Sequence, residues 1–406
     1  MTGFVSHQIL ILALLCVIFS GCGKEETLTD DPPVSVRRTV LVYLGTDNNF
    51  SYEAAQKIEQ LKNNWSKTID GNLLVYADTG EEPVLVHIYH SCRRGAVADT
   101  IETYAPENSA SPAVLARVLN KVKAYRPAAS YGLVLLSHAT GWLPAEMSYP
   151  AIELKSANSL SCESRRDRRR QQGGGRGLKS VILDTSASEA NNYMELSDFA
   201  DAIPYKLDFI IFDACFMGSV EVCYELKDKV NYVVASPAEV LSPGFVYSTM
   251  MQRLFAPVPD LTAVAREFYE YYNSQTGWYQ SATVSVVKTA ELEALATIVK
   301  DMTRQNTFSD DLENVQIYGF GAQKIYFDLG DYLQKLSPEN YDQSQTALDQ
   351  CVTYKACTPS YYSAGTGMQI IRAYSGLSMY IPQTAYPEAN KAYGQLKWAK
   401  QTGFAY

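Results

Sequence analysis

Short unbroken runs of Val, Ile, Leu and Phe alternate along this chain with stretches whose apolar residues return every three or four positions. The runs at 39–44, 72–77, 84–89, 132–137, 180–183, 208–212 and 232–236 predict strands. Several are apolar on both faces, as parallel strands covered on both sides should be. Between them, residues 51–65, 112–125, 196–203 and 218–227 carry helical spacing. Strands that alternate with helices predict an α/β fold built on a mostly parallel sheet flanked by helices. Beyond about residue 257 helical spacing dominates, over 261–272, 290–304 and 329–336, with further strands expected at 282–287, 367–372 and 377–381. We therefore expect a core over 38–256 and an α+β extension over 257–406 packed on it.

Two regions break this pattern. Residues 161–177 read SCESRRDRRRQQGGGRG, basic, glycine-rich and without apolar periodicity, which predicts an exposed loop. At the other extreme, residues 9–19 are apolar over the length of a signal-peptide core and too short to span a bilayer comfortably. That run ends in Phe19-Ser20-Gly21-Cys22, which resembles the lipobox of bacterial lipoproteins, where the cysteine is diacylated and becomes the new N-terminus. Two acyl chains suffice for stable anchoring. The following Gly23-Lys24-Glu25-Glu26 resembles an acidic export signal of surface lipoproteins. The reading is a signal peptide over 1–21, a lipidated tether over 22–37 and an outer-membrane lipoprotein of a Gram-negative bacterium, surface-exposed, with a periplasm-facing placement as the alternative.

Composition narrows the classes further. A net charge of −9 argues against a general nucleic-acid binder. Of the eight cysteines, Cys16 leaves with the signal peptide and Cys22 is lipidated, and the remaining six form no C-x-x-C pair. Cys351 and Cys357 are close enough in sequence for a small disulfide loop in an oxidising compartment. The four histidines are too few for a His-rich metal site.

Reactive groups of open parallel sheets gather at the carboxyl ends of strands. Two predicted strand ends carry suitable chemistry. One reads Leu136-Ser137-His138-Ala139-Thr140-Gly141, the other Phe212-Asp213-Ala214-Cys215-Phe216-Met217-Gly218. Either residue alone would more often be structural. Together they suggest a thiol nucleophile and an imidazole base, since an imidazole raises the small thiolate fraction present near pH 7. A helix starting at Gly218 would add its positive end to the thiol's surroundings.

At these residues the chain resembles the clostripain-like cysteine peptidases, relatives of caspases, gingipains and legumains. Asp213-Ala214-Cys215-x-Met217-Gly218 carries the resemblance most specifically. Tyr43-Leu44-x-x-Asp47-Asn48-Asn49, Ala235-Ser236-Pro237-x-Glu239, Pro243-Gly244-Phe245, Asp328-Leu329-Gly330-Asp331 and Gly376 to Pro382 add weaker matches. The resemblance implies a caspase-like fold and an endopeptidase that cleaves after Arg or Lys through an acyl-enzyme. It makes Cys215 the nucleophile and His138 the base, with the backbone N–H groups of Ala139 and Cys215 as the oxyanion hole. Family members usually have glycine where Ala139 stands. Asp213 would line the pocket for a basic P1 side chain, and Glu239 is a second candidate at its rim.

The resemblance further implies self-processing between the His and the Cys, after Arg165, Arg166, Arg168, Arg169, Arg170, Arg176 or Lys179. No cofactor is needed for the chemistry. Some members depend on calcium, and Asp47, Asn48 and Asn49 carry suitable oxygens; from the residues alone these three are expected to end a strand and cap the helix at Ser51. The expected partners are a protein or peptide substrate with a basic P1 residue and the membrane through Cys22. A second reading keeps the fold without turnover, as a surface-binding lipoprotein, which Ala139 favours and the intact His138 and Cys215 oppose. A serine hydrolase is a poor alternative, because no G-x-S-x-G follows a strand.

Overall fold

The computed structural model describes residues 36–143, 181, 182, 184, 193–306, 312–320 and 323–404. The expectations for the signal peptide, Cys22, the 161–177 loop and Lys179 lie outside the described residues. Strands β1 (Val36–Gly45), β2 (Asn72–Asp78), β3 (Val84–Ser91), β4 (Gly95–Thr103), β5 (Ala128–Leu136), β6 (Leu207–Asp213), β7 (Val230–Ala235) and β8 (Thr283–Lys288) follow one another in the chain. The later strands are β9 (Ile317–Phe320), β10 (Gln323–Asp328), β11 (Val352–Cys357), β12 (Ser360–Ser363), β13 (Gly367–Ile370) and β14 (Ser378–Met379).

A nine-stranded sheet runs in the order β11-β8-β7-β6-β5-β1-β2-β3-β4. Its five central strands, from β7 to β2, are parallel, and an antiparallel pair closes each side. Both faces of the centre are buried, as the unbroken apolar runs require. Leu41, Leu133, Leu135, Ile210 and Phe212 enter one core; Val40, Val42, Val134, Phe209 and Ile211 enter the other. β4 was not anticipated: it is an edge strand with only half-buried or exposed residues, so no apolar run marks it.

Helices α1 (Ser51–Asn63), α2 (Pro112–Tyr125), α3 (Leu196–Ala202) and α4 (Val220–Glu225) lie between the central strands in sequence. α5 (Tyr247–Leu254), α6 (Leu261–Asn273), α7 (Leu292–Gln305), α8 (Leu329–Leu336) and α9 (Tyr341–Cys351) follow. Residues beyond 257 do more than pack on the first sheet, because β8 and β11 extend it. They also form a small sheet in the order β14-β10-β9, and a hairpin of β12 and β13. β11 holds Cys351 and Cys357 apart, since six extended residues span roughly 20 Å. A disulfide between them is therefore excluded, and both thiols are free.

Chain order reverses between β5 and β1, because β2 follows β1 on one side while β6 and β7 follow β5 on the other. In open parallel sheets such a switch point opens a crevice beyond the carboxyl ends of the strands.

Candidate active site

Register alone brings the two motifs together. Leu136 of β5 pairs with Asp213 of β6, so His138 and Cys215 stand two residues beyond paired positions on neighbouring strands. Ser137 Oγ donates to the Gly45 carbonyl at 2.7 Å, which ties the end of β5 to the end of β1. The segment after β1 then reaches His138. Its Nε2 lies 2.6 Å from Asn49 Oδ1, and Phe50 stacks on the imidazole with ring centroids 4.2 Å apart. With Asn49 as acceptor, Nε2 carries the proton and Nδ1 is left as the base.

Asn49 is thus a positioning residue that local reasoning missed. The capping role expected for Asp47, Asn48 and Asn49 is also corrected. The residue preceding α1 is Phe50, with no side-chain cap, and Asn48 Oδ1 accepts the Phe50 N–H at 2.9 Å. Among the described residues no group of three or more His, Cys, Asp or Glu is placed to hold a metal ion.

The turn carrying Cys215 is held from several sides. Phe216 has φ 60, the only positive φ at a non-glycine position among the described residues. Its N–H donates to the Ala238 carbonyl at 3.0 Å, and the Gly218 N–H donates to the Ser236 carbonyl at 2.8 Å. Tyr326 of β10 stacks on Phe216 at 4.8 Å and donates its hydroxyl to the Thr140 carbonyl, so one side chain joins the His and Cys loops. Their approach is close enough that a Cβ on Gly141 (φ 65) would lie 2.8 Å from the Phe216 carbonyl oxygen. Ala139, by contrast, lies outside the left-handed region, so its methyl imposes no backbone strain. The N–H groups of Ala139 and Cys215 have no protein acceptor among the described residues.

Cys215 is half-buried under the segment after β7. The Val240 N–H points at Sγ from 3.3 Å, and the Val240 carbonyl lies 3.8 Å away. Burial pushes the thiol up to about 12, helped by the charges of Glu239 and Asp213 and opposed by the Val240 N–H. The helix expected at Gly218 begins only at Val220 and does not offset these effects. Burial lowers His138 to about 4. Thiol and imidazole are therefore both neutral near pH 7, and they are not hydrogen bonded to each other among the described residues.

Beside the thiol lies a narrow cavity of about 20 Å³, lined among others by Asp213, Val240, Gly244, Phe50 and Glu53. That volume holds one water. Asp213 is buried, and its Oδ1 accepts the Phe245 N–H at 3.2 Å. Its Oδ2 has no donor in hydrogen-bond geometry; the nearest cation, Lys57 Nζ, stands 3.8 Å away. Burial raises the Asp213 carboxyl above its usual range, and Lys57 counteracts that shift, with smaller help from the Phe245 N–H and the Tyr247 hydroxyl. Gly244 (φ 75) is required here, since a Cβ would sit 2.1 Å from Asp213 Oδ1.

Glu239 stands differently. Oε1 accepts from Ser363 Oγ at 2.7 Å, and Oε2 from the Ala364 N–H at 3.0 Å. Both oxygens pin the turn of the β12–β13 hairpin beside the thiol's loop.

Comparison with known proteins fits this geometry. The sequence profile of the Clostripain family matches residues 42–154 and 178–402. Clostripain from Hathewaya histolytica is 22% identical over 249 residues, which cover 54% of this chain and 42% of that protein, less than half its length. An inactive zymogen C11 protease from Parabacteroides distasonis superposes with a TM-score of 0.75 and 32% identity, over 91% of this chain and 99% of that one. A secreted C11 cysteine protease from Bacteroides thetaiotaomicron, in complex with an irreversible peptide inhibitor, gives 0.75 and 27% over 90% and 98%. On the sequence match and the shared architecture, the chain belongs to the clostripain family of cysteine peptidases.

Proposed function

We propose that the protein is an endopeptidase that cleaves after arginine or lysine, with Cys215 as nucleophile and His138 as base. The observation that carries this reading is the register-matched meeting of His138 and Cys215 beside a buried aspartate that lines the same cavity. In the reaction, the sulfur adds to the scissile carbonyl carbon while His138 Nδ1 takes the thiol proton. The same proton passes to the leaving amine as the C–N bond breaks, which leaves a thioester. Water then adds to the thioester with His138 again as base, and the thiol is released. The N–H groups of Ala139 and Cys215 are the donors for the oxyanion of each tetrahedral intermediate.

A carboxylate in the wall of a narrow cavity pairs strongly with a guanidinium or ammonium that enters it. Asp213 is therefore the floor of the P1 pocket. A cavity of about 20 Å³ is too small for an arginine side chain, so this reading has its walls, among them the segment from Val240 to Gly244, give way when substrate binds. That requirement, together with a covered thiol, suits an uncleaved precursor, and one structural relative is itself an inactive zymogen. Cleavage after an arginine of the 161–177 loop, or after Lys179, is the activation step this reading includes. A tethered basic segment meets an arginine-directed site at high effective concentration. Lipidation at Cys22 would place the enzyme at the outer membrane, supported by the sequence Phe19 to Cys22 and by the secreted relative.

An arginine acyloxymethyl ketone probe tests the reading. Wild-type protein should be labelled at Cys215 and should run as two fragments, whereas Cys215→Ala should be unlabelled and whole. A Cys215→Ala protein that still cleaves peptides would overturn the mechanism. Absence of labelling in wild-type protein, cut or uncut, would favour a binding protein without turnover.

A further inference from the structure

The cavity beside Cys215 is faced by two carboxylates, and among the described residues only one has a cation in ion-pair contact. Asp213 has Lys57 behind it. The Lys57 ammonium is buried, donates to the carbonyls of Pro243 and Phe245, and lies 4.0 Å from the centre of the Tyr247 ring. Lys57 does not line the cavity, so it neutralises Asp213 from the far side. Viewed from the cavity, the pair sums to zero charge, although the carboxylate is its nearer end. Glu53 is one helical turn earlier on α1, on the same face as Lys57. It lines the cavity, and its Oε1 accepts from the neutral Ser242 hydroxyl at 2.7 Å. No salt bridge involving Glu53 is found among the described residues.

We propose that Glu53 is the residue that makes this pocket prefer a positive over a neutral P1 side chain, while Asp213 serves chiefly as a hydrogen-bond acceptor at its floor. The inference rests on the basic-P1 reading above and refines it. A long-range attraction follows net charge, and the net charge facing the cavity comes from Glu53. A short-range hydrogen bond follows acceptor capacity, and Asp213 lines the cavity with a carboxylate that accepts one backbone N–H, that of Phe245. One helix thus supplies both the cation that cancels the inner carboxylate and the carboxylate that replaces its charge.

The test compares two peptide substrates that differ only at P1, arginine against its neutral isostere citrulline, by their kcat/KM ratio. Wild-type enzyme should favour arginine, and Glu53→Gln should lower that ratio about five- to tenfold, mainly through KM for arginine. Cleavage of the citrulline peptide should stay unchanged, which a merely structural role would not allow. Glu53→Asp should recover part of the ratio. Ser242→Ala, which removes the hydrogen bond but keeps the charge, should leave it intact. An unchanged ratio in Glu53→Gln, with wild type still favouring arginine, overturns the inference and leaves the basic-P1 reading standing. The inference is equally overturned if Ser242→Ala lowers the ratio as much as Glu53→Gln does. If wild type itself does not distinguish arginine from citrulline, the basic-P1 reading falls and the inference with it.

Discussion

Asp213 and Asp328 are both buried aspartates at the last position of a strand, yet they are held in opposite ways. Asp328 ends β10, and its carboxylate is filled: it accepts the Asp331 N–H at 2.9 Å, the Ser375 N–H at 2.7 Å and the Tyr318 hydroxyl at 2.8 Å. It caps α8 and fixes the small sheet. Asp213 ends β6 in the main sheet and lines a cavity; it accepts one backbone N–H, that of Phe245, and its second oxygen faces Lys57 Nζ at 3.8 Å. Burial raises both carboxyls above their usual range, so burial does not separate them. The separating property is acceptor capacity left unused. Under the function proposed above, the carboxylate with capacity to spare beside a cavity is the one that meets substrate, and the carboxylate ringed by donors holds the fold. Glu239, whose two oxygens are both engaged, falls on the structural side of this division.

The same isosteric change at both positions should break the symmetry most strongly. Asp213→Asn should reduce cleavage after arginine and after citrulline alike by about tenfold to a thousandfold, and affect P1 side chains that carry no donor far less. Equal loss with and without a P1 donor would mean that Asp213 only shapes the turn before Cys215.

The thiol beside Asp213 offers a second measurement. With Cys215 pushed up to about 12, its thiolate fraction at pH 7 is minute and rises with pH throughout the accessible range. Alkylation of uncleaved protein by iodoacetamide at this position, followed by mass spectrometry, should therefore accelerate about a hundredfold from pH 7 to pH 9. A rate that levels off below pH 8 would show that the thiol is already paired with His138 before cleavage.

On the structural side, Asp328→Asn puts an amide N–H where an N–H or O–H donor now points, and it should cost about 2–4 kcal/mol by chemical denaturation. The folded fraction should keep its P1 preference. Glu239→Gln should have the smallest effect, about 1 kcal/mol of stability, because one acceptor oxygen remains for the hairpin turn. Its arginine-to-citrulline ratio should match wild type; a drop there would return Glu239 to the substrate pocket.

Much of the site could be read from local sequence. Apolar runs of β1, β5 and β6 announce buried parallel strands, and residues just past such strands face the crevice, which singles out His138 and Cys215. Asp213 follows from its place in the same motif. Other elements left no local signal. β4 is half-exposed along its length, while β9, β12 and β14 are too short for periodicity to emerge. α9 mixes buried positions with a long polar face, and β11 follows it without a turn signal.

The α/β class, the succession of strands along the chain and the presence of a thiol and an imidazole just past two apolar strands were thus set by residue pattern alone. These depend on side-chain periodicity within a few residues, which any stretch of chain expresses without help from the rest. Which polar groups are filled was settled only by folding. Asn49 meets His138 across 89 residues of sequence, Tyr326 reaches Thr140 across 186, and Lys57 lies under an aspartate that β6 supplies. Ser363 and Ala364 fill Glu239 from a hairpin more than a hundred residues away. Hydrogen bonding and charge balance act over a few ångströms of space with no regard to sequence separation. The difference between a carboxylate ringed by donors and one that lines a cavity therefore exists only once the chain has closed around it.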